Sequence, residues 1–345
     1  MQFQTAPAAL VVAFAAFVVT LACLGLLLSR FGRHLMLDRP NERSLHAQAV
    51  PRSGGIAIAA GVAAGVGVHA ALSNSPMPFM FGATLGIAGL LAAISLVDDA
   101  VTLPTFLRLV AHLGASGAAL SIGMGTADPV QFVLLLLAIA WYANLYNFMD
   151  GSDGLAGGMA VFGFGAYAWA AHQSGHAALA DLCGSVAVAS FAFLLVNFHP
   201  ARLFMGDVGS VPLGFLSGAI GVLGWKEGIW PLWFPALVFA PFACDATLTL
   251  VKRLLRRERV WQAHKDHYYQ RLVRMGFGHR GTAWIEYAAM AGCAATALLV
   301  RAAEPGIQAG AVGAATVVLI GIALWVDARW ARWSRSGRGS GGAAA

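Results

Sequence analysis

Residues 130–158 read VQFVLLLLAIAWYANLYNFMDGSDGLAGG, an apolar run followed at once by carboxylates and glycines. The apolar part, residues 130–147, approaches the ~20 residues that an α-helix needs to cross a bilayer. Similar runs recur from residue 9 to residue 326 without a long polar break. Only 11% of the chain is charged, against about 25% in soluble domains. The sequence therefore predicts an integral membrane protein, and nothing in it indicates nucleic-acid binding.

We predict an all-α, polytopic fold with about eleven transmembrane helices. The N-terminal run is expected to be a retained helix, since residues 1–7 carry no basic side chain of the kind that opens a signal peptide. One transmembrane catalytic domain is expected over 1–328, followed by a low-complexity, disordered cytoplasmic tail over 329–345. The predicted spans lie near residues 8–28, 54–72, 79–97, 106–124, 130–147, 156–172, 178–197, 211–225, 230–251, 283–301 and 307–326.

Basic residues are distributed very unevenly between the links that join these spans. Of the 22 Lys and Arg residues, all but Lys226 and Arg301 lie on or at the edge of the side formed by the odd-numbered links. Cytoplasmic loops are the ones enriched in Lys and Arg. The bias predicts that the N-terminus lies outside and the C-terminus lies in the cytoplasm. The high pI, about 9.5, suits anionic lipid headgroups or a phosphorylated substrate.

Three acidic motifs fall at the predicted cytoplasmic helix ends. They contain Asp98 and Asp99, then Asp150 and Asp153, then Asp207. A carboxylate drawn toward hydrocarbon costs about 2.5–3.5 kcal/mol, so several gathered without local lysines indicate a cation. Oxygen ligands with positions left open for phosphate and water favour Mg²⁺. Each motif alone has a plainer interpretation: a solvated helix end, an Asp-Gly turn or a helix N-cap.

Glycines accompany the second and third motifs and also open the second span as Gly54-Gly55, directly after Arg52-Ser53. A helix N-terminus offers free N–H groups to a phosphate. We therefore expect Gly54, Gly55 and Arg52 to bind a phosphorylated substrate.

The longest predicted cytoplasmic link contains a basic run, residues 252–259, and then His264 and His267. The basic run alone is typical of a membrane-surface anchor. The two histidines would share one face if the segment is helical. Zinc is an alternative ligand, but no further Cys or His is spaced to complete a tetrahedral site. Contacts to a diphosphate or a reacting phosphate are favoured.

In order, the motifs are Asp-Asp, Asn-x-x-Asn-x-x-Asp-Gly-x-Asp-Gly, Phe-Met-Gly-Asp-x-Gly-Ser and a basic loop with histidines. This order resembles the polyprenyl-phosphate N-acetylhexosamine-1-phosphate transferases (glycosyltransferase family 4), which include the phospho-N-acetylmuramoyl-pentapeptide transferase. Leu37–His46 followed by Pro51–Gly55 looks like the O-antigen-initiating branch. The resemblance covers roughly residues 36–282.

The resemblance implies transfer of a sugar 1-phosphate from a UDP-N-acetylhexosamine to undecaprenyl phosphate, with Mg²⁺ (or Mn²⁺ as a substitute). It also implies a bacterial inner membrane, so that the N-terminus would be periplasmic and the C-terminus and the active site cytoplasmic. A homodimer is compatible with the resemblance. By position, Asp207 and Asp99 would be metal ligands, and Asp98 or Asp99 would act on the acceptor. The remaining assignments are catalytic for Asp150 and Asp153, and substrate-binding for Asn144, Asn147, His264, His267 and Arg271.

Two alternatives remain open from the sequence. The motif His-Lys-Asp-His-Tyr-Tyr over 264–269 departs from the histidine-rich motifs of the family. Together with Gln270-Arg-Leu272 it looks more like enzymes for deoxyaminosugars, so the sugar is open between N-acetylglucosamine and N-acetylfucosamine or N-acetylquinovosamine. A transporter or lipid flippase is the competing class, but it would place ionisable groups near mid-membrane between repeated halves.

Overall fold

The computed structural model describes residues 6–29, 37–38, 50–73, 76–125, 128–259, 262 and 264–336. These residues form a bundle of helices, with one two-residue antiparallel pairing of β1 (Leu37–Asp38) and β2 (Val50–Pro51). The all-α prediction is confirmed. The rest of the Leu37–His46 motif lies outside the described residues. The helices are α1 Ala6–Leu27, α2 Gly54–Leu72, α3 Phe79–Val101, α4 Thr105–Met124, α5 Pro129–Met149, α6 Leu155–Gln173, α7 Ala177–Asn197, α8 Asp207–Lys226, α9 Trp233–Val238, α10 Ala240–Leu255, α11 Tyr268–Leu272, α12 Gly278–Val300 and α13 Pro305–Arg335.

Within the described ranges, nine helices are long and apolar enough to cross a membrane. The predicted sixth span is helical as α6, but it is not among the nine. Its glycine-rich sequence packs against α7 and α12 instead of facing outward. The predicted ninth span is not one helix: it breaks at Phe239 into α9 and α10. Pro241 lies in the first turn of α10, and because proline lacks an N–H the helical hydrogen bonds cannot run through.

Helix α8 occupies the centre of the bundle. Every residue from Val208 to Gly224 is buried, and α3 and α5 pack closely along it. A Cβ at Gly214 would lie 2.4 Å from the carbonyl oxygen of Tyr142 on α5. The glycine therefore allows the close approach that holds the start of α8 beside the end of α5.

The last helix is longer than its predicted span. α13 continues to Arg335, so residues 329–335, predicted to belong to a disordered tail, are helical. Residues 337–345 of that tail lie outside the described residues.

Candidate active site

Two arginines bind the paired carboxylates at the end of α3. Arg52 Nη2 lies 3.2 Å from Asp99 Oδ1, and Arg108 Nη1 lies 3.4 Å from Asp98 Oδ2. The Asp99 and Asp98 side chains are 3% and 10% exposed, whereas those of the arginines are 33% and 37% exposed. The carboxylates therefore face inward, while the side chains of both arginines are partly exposed.

Asp207, the first residue of α8, belongs to the same cluster. Its carboxylate accepts a hydrogen bond from Asn147 Nδ2 at 3.4 Å, and Ser210 Oγ donates to Asn147 Oδ1 at 2.9 Å. The charges of Asp98 and of both arginines act on the Asp207 carboxylate. The fold thus brings the first and third acidic motifs together, with α5 supplying the amide between them.

Asn144 lies one turn before Asn147 and points elsewhere. Its Nδ2 donates to Ala140 O at 2.8 Å, and its side chain also hydrogen-bonds with His112 of α4. His112 is buried and lies within electrostatic range of Asp98 and Arg108. Asn144 therefore links α5 to α4 behind the carboxylate cluster.

The two carboxylates of the middle motif have different surroundings. Asp150 caps the end of α5. Asp153 is 2% exposed, and its Oδ2 lies 2.6 Å from His199 Nδ1 and accepts from Ala201 N at 3.1 Å. The His199 ring stacks on His279 of α12 at a centroid distance of 5.5 Å. Asp153 thereby fixes the α7–α8 loop and orients an exposed imidazole.

The amides of Gly54 and Gly55 already have acceptors. Gly54 N donates to Phe204 O and Gly55 N donates to Met205 O, both at 2.9 Å. A Cβ at Gly55 would lie 2.3 Å from Gly209 N. The structure therefore differs from the prediction that these amides bind phosphate. The glycines instead let the start of α2 pair with the loop before α8, and this pairing places Arg52 beside the site.

His267 is held by a buried carboxylate on α10. Asp245 Oδ1 lies 3.0 Å from His267 Nδ1 and accepts from Tyr268 N at 3.0 Å, while its Oδ2 accepts from Tyr269 N at 2.9 Å. Asp245 therefore caps α11 and fixes the ring of His267. The prediction that His264 and His267 share a helical face is wrong, because α11 begins only at Tyr268; the two rings nevertheless lie 5.0 Å apart.

The histidine segment docks against the end of α5. Tyr269 Oη donates to Phe148 O at 3.1 Å, and the Phe148 and His267 rings are 6.2 Å apart. A Cβ at Gly151 would lie 2.1 Å from Tyr269 Oη, so glycine is required for this contact. The histidines and the Asp150 motif therefore belong to one surface.

Arg271 lies away from this surface. Its side chain is 4% exposed, and its Nη1 lies 2.9 Å from Asp327 Oδ1 of α13. Its guanidinium also lies over the rings of Tyr268 and Trp330. These contacts favour a structural role for Arg271 over the predicted substrate contact.

We expect His264 to make the stability of the folded protein depend on pH. Burial, with added repulsion from His267 and Arg253, lowers the pKa of half-buried His264 to about 4. In the unfolded chain the same imidazole takes up a proton near pH ~6.5. The contribution of neutral His264 to stability is therefore present above that pH and is lost as the pH falls toward 4. In detergent, the melting temperature of His264→Gln should fall less than that of the wild type between pH 7.5 and pH 5. Equal decreases would contradict the assignment.

The described residues contain no ready-made group of three His, Cys, Asp or Glu side chains for a metal. Mg²⁺ does not require one, because it keeps several waters and is held by one or two carboxylates together with substrate phosphates. Asp207 and the Asp98–Asp99 pair supply carboxylate oxygens beside the partly exposed side chains of Arg52 and Arg108. This donor set fits Mg²⁺ bound together with a phosphorylated substrate.

A polytopic helical bundle with carboxylates, arginines and oriented histidines gathered at one end defines a membrane protein with a charged candidate site. The family model for glycosyl transferase family 4 matches residues 80–224. A Mycolicibacterium smegmatis decaprenyl-phosphate N-acetylglucosaminephosphotransferase is 30% identical over 83% of this chain and 80% of its own length. A probable undecaprenyl-phosphate N-acetylglucosaminyl 1-phosphate transferase from Bacillus subtilis is 29% identical over 73% of each chain.

A shorter match, 31% identical over 43% of this chain and 46% of its own length, is to the phospho-N-acetylmuramoyl-pentapeptide-transferase of Staphylococcus aureus. The chain belongs to glycosyl transferase family 4, in the superfamily of polyprenyl-phosphate N-acetylhexosamine-1-phosphate transferases.

Sequence reasoning missed several residues of the site. Arg108 and His112 lie inside the predicted fourth span. His199 and His279 contact Asp153 and Ser152 of the second motif but belong to no motif of their own. Asp245 was visible as a rare carboxylate in an apolar span, which is by itself a signal of function. Its partner lies 22 positions away, so only the fold could identify it.

Proposed function

We propose that this chain transfers an N-acetylhexosamine 1-phosphate from a UDP-sugar to undecaprenyl phosphate at the cytoplasmic face of a bacterial inner membrane. The products would be UMP and an undecaprenyl-diphosphate sugar, the first intermediate of O-antigen or another cell-envelope glycan. The observation that carries the proposal is the joining of Asp98, Asp99 and Asp207 with Arg52 and Arg108 at one end of the bundle. The relatives act on polyprenyl phosphates, as their names state.

The charges suit a reaction between two phosphorylated substrates. Attack of a phosphate monoester on a diphosphate brings several negative charges together, and catalysis depends on positioning and neutralising them. Arg52 and Arg108 expose their guanidinium groups at the cluster, where a planar fork matches phosphate oxygens. These two arginines would hold phosphates next to the carboxylates.

Asp207 and Asp99 would hold Mg²⁺, which when bound neutralises phosphate charge and orients the reacting groups. Asp98 or Asp99 would accept the proton of the acceptor phosphate. Asn147 orients Asp207 directly. His267, fixed by Asp245, would contact the donor diphosphate from the other side of the α5 end.

His199 would contact the nucleotide or the sugar. Its ring is 42% exposed and is oriented by Asp153. Asp153, predicted as catalytic, would then act by fixing this ring and the loop before α8.

A donor panel tests the function. Purified protein in detergent would receive undecaprenyl phosphate, Mg²⁺ and, separately, UDP-N-acetylglucosamine, UDP-N-acetylfucosamine or UDP-N-acetylquinovosamine. Metal-dependent labelling of the lipid is expected, and the preferred donor identifies the sugar. Folded protein that labels no lipid with any donor would contradict the proposal.

The proposed orientation makes a separate prediction. Arg256 is exposed at the end of α10, and Glu304 is exposed before α13, at the opposite end of the bundle. In spheroplasts, a membrane-impermeant maleimide should label Glu304→Cys at once, but Arg256→Cys only after permeabilisation. The native cysteines are buried or half-buried, and the unsubstituted protein measures their background. The reverse pattern would invert the topology.

A further inference from the structure

The last helix reaches past its apolar part and contacts the segment that carries the histidines. One carboxylate oxygen of Asp327, on α13, accepts a hydrogen bond from Arg271 Nη1 at 2.9 Å. Its other oxygen pairs with Lys252 Nζ of α10 and accepts from Tyr268 Oη at 3.3 Å. One carboxylate therefore ties together α10, α11 and α13.

Cation–π contacts also stabilise the packing of α13 against this segment. The Arg271 guanidinium lies 5.3 Å from the centre of the Tyr268 ring and 5.8 Å from that of Trp330. Arg274, one turn further along, lies 4.8 Å from the Trp330 ring. A cation over an aromatic face is attracted to it, most strongly where water is excluded. The Arg271 side chain is thus buried between α11 and α13.

α11, Tyr268–Leu272, is followed by a π-helical turn, Val273–Phe277, in which the chain kinks at Gly276 (φ 96°) before α12 begins. Because the kink interrupts the helix between α11 and α12, the position of α11 depends on its own contacts with the rest of the bundle. At its first turn those contacts are with Asp245, which also holds His267; at its last turn they are with Asp327 and Trp330. Movement of the last turn would therefore move His267.

We infer that Asp327 is a positioning residue, which holds His267 in place through Arg271 and α11. The expected effect on catalysis rests on the proposed function, whereas the expected effect on the position of His267 does not. This role accounts for the cytoplasmic extension of α13. It also explains why a buried arginine lies next to the histidine motif without contacting substrate.

The test uses the full-length protein in detergent with Asp327→Asn, Asp327→Glu and Arg335→Gln. Arg335 lies on the same extension, and its side chain bonds only to Ala331 O of its own helix among the described contacts. Hydrogen exchange is measured over residues 264–277 and over α5, together with kcat, the KM for each substrate and the melting temperature.

For Asp327→Asn we expect faster exchange over 264–277, unchanged exchange in α5, and a kcat lowered by about tenfold or more, as for a misplaced catalytic group. The KM for undecaprenyl phosphate should stay close to wild type, whereas the melting temperature should fall, because buried Arg271 loses its charged partner. Asp327→Glu keeps the charge and should restore most of the kcat, and Arg335→Gln should match wild type.

Unchanged exchange over 264–277, or faster exchange with a wild-type kcat, would overturn the inference while leaving the transferase function intact. Equal impairment of Asp327→Asn and Asp327→Glu would also overturn it, because the charge would then not matter. If the wild type transferred no sugar phosphate, the proposed function would fail, and the exchange data would still decide whether Asp327 orders the segment.

Discussion

Asp207→Asn should lower kcat by about 1000-fold, the upper end of the effect seen when one group that stabilises transition-state charge is removed. Asp207 begins the buried central helix, hydrogen-bonds with Asn147 and lies in the field of Asp98 and two arginines. The amide keeps the shape and can still face Asn147, but it removes the charge that would hold Mg²⁺. The melting temperature should therefore change little.

Glu227→Gln provides the matched control. Glu227 directly follows the other end of α8, and it is exposed. The same loss of one negative charge there should leave kcat within about twofold, as expected for a surface change away from the site. An Asp207→Asn protein with more than a tenth of wild-type kcat would remove Asp207 from the chemistry.

Asp245→Asn is expected to have the second largest effect. The carboxylate accepts from two backbone amides at the start of α11 and holds His267 Nδ1 at 3.0 Å. Hydrogen bonds to a buried charge contribute about 1.5–3 kcal/mol each. An asparagine would turn an NH₂ toward one of these donors. We expect kcat to fall by about 100-fold, as for a misplaced catalytic group, and the free energy of unfolding to fall by about 2 kcal/mol.

Thr249→Val separates this effect from a general disturbance of α10. Thr249 Oγ1 donates to the same carboxylate, but at 3.3 Å and within one helix. Its removal should change kcat by less than about threefold, since 3.3 Å is long for an O–H···O hydrogen bond and the contact is correspondingly weak. If Asp245→Asn and Thr249→Val had equal effects, Asp245 would not be the residue that orients His267.

Much of the helical framework follows from hydropathy. Residues 130–147 predict α5 almost in full, and the carboxylates that follow them do lie at a helix end. The break at Phe239 escaped the prediction, because a hydropathy window averages over a continuous apolar run. The prolines at 235 and 241 were the available signal, since each removes a helical donor.

The site was less predictable because its key pairings join distant parts of the chain. The spacing of His264 and His267 suggested a helix, but the carboxylate of Asp245 starts that helix at Tyr268 instead. Arg271 stood beside the histidines in sequence and was expected to contact substrate. Its burial against Asp327 depends on where α13 ends, which no local pattern encodes.

Transfer of a sugar 1-phosphate can be distinguished from transfer of the sugar alone by following the two phosphorus atoms of the donor. UDP-N-acetylhexosamine labelled with ³²P at the β-phosphorus, and in a parallel reaction at the α-phosphorus, would be incubated with the enzyme, Mg²⁺ and undecaprenyl phosphate. We expect the β-label to enter the lipid fraction and the α-label to appear in UMP. Release of both labels together as UDP would show transfer of the sugar without its phosphate and would rule out sugar 1-phosphate transfer.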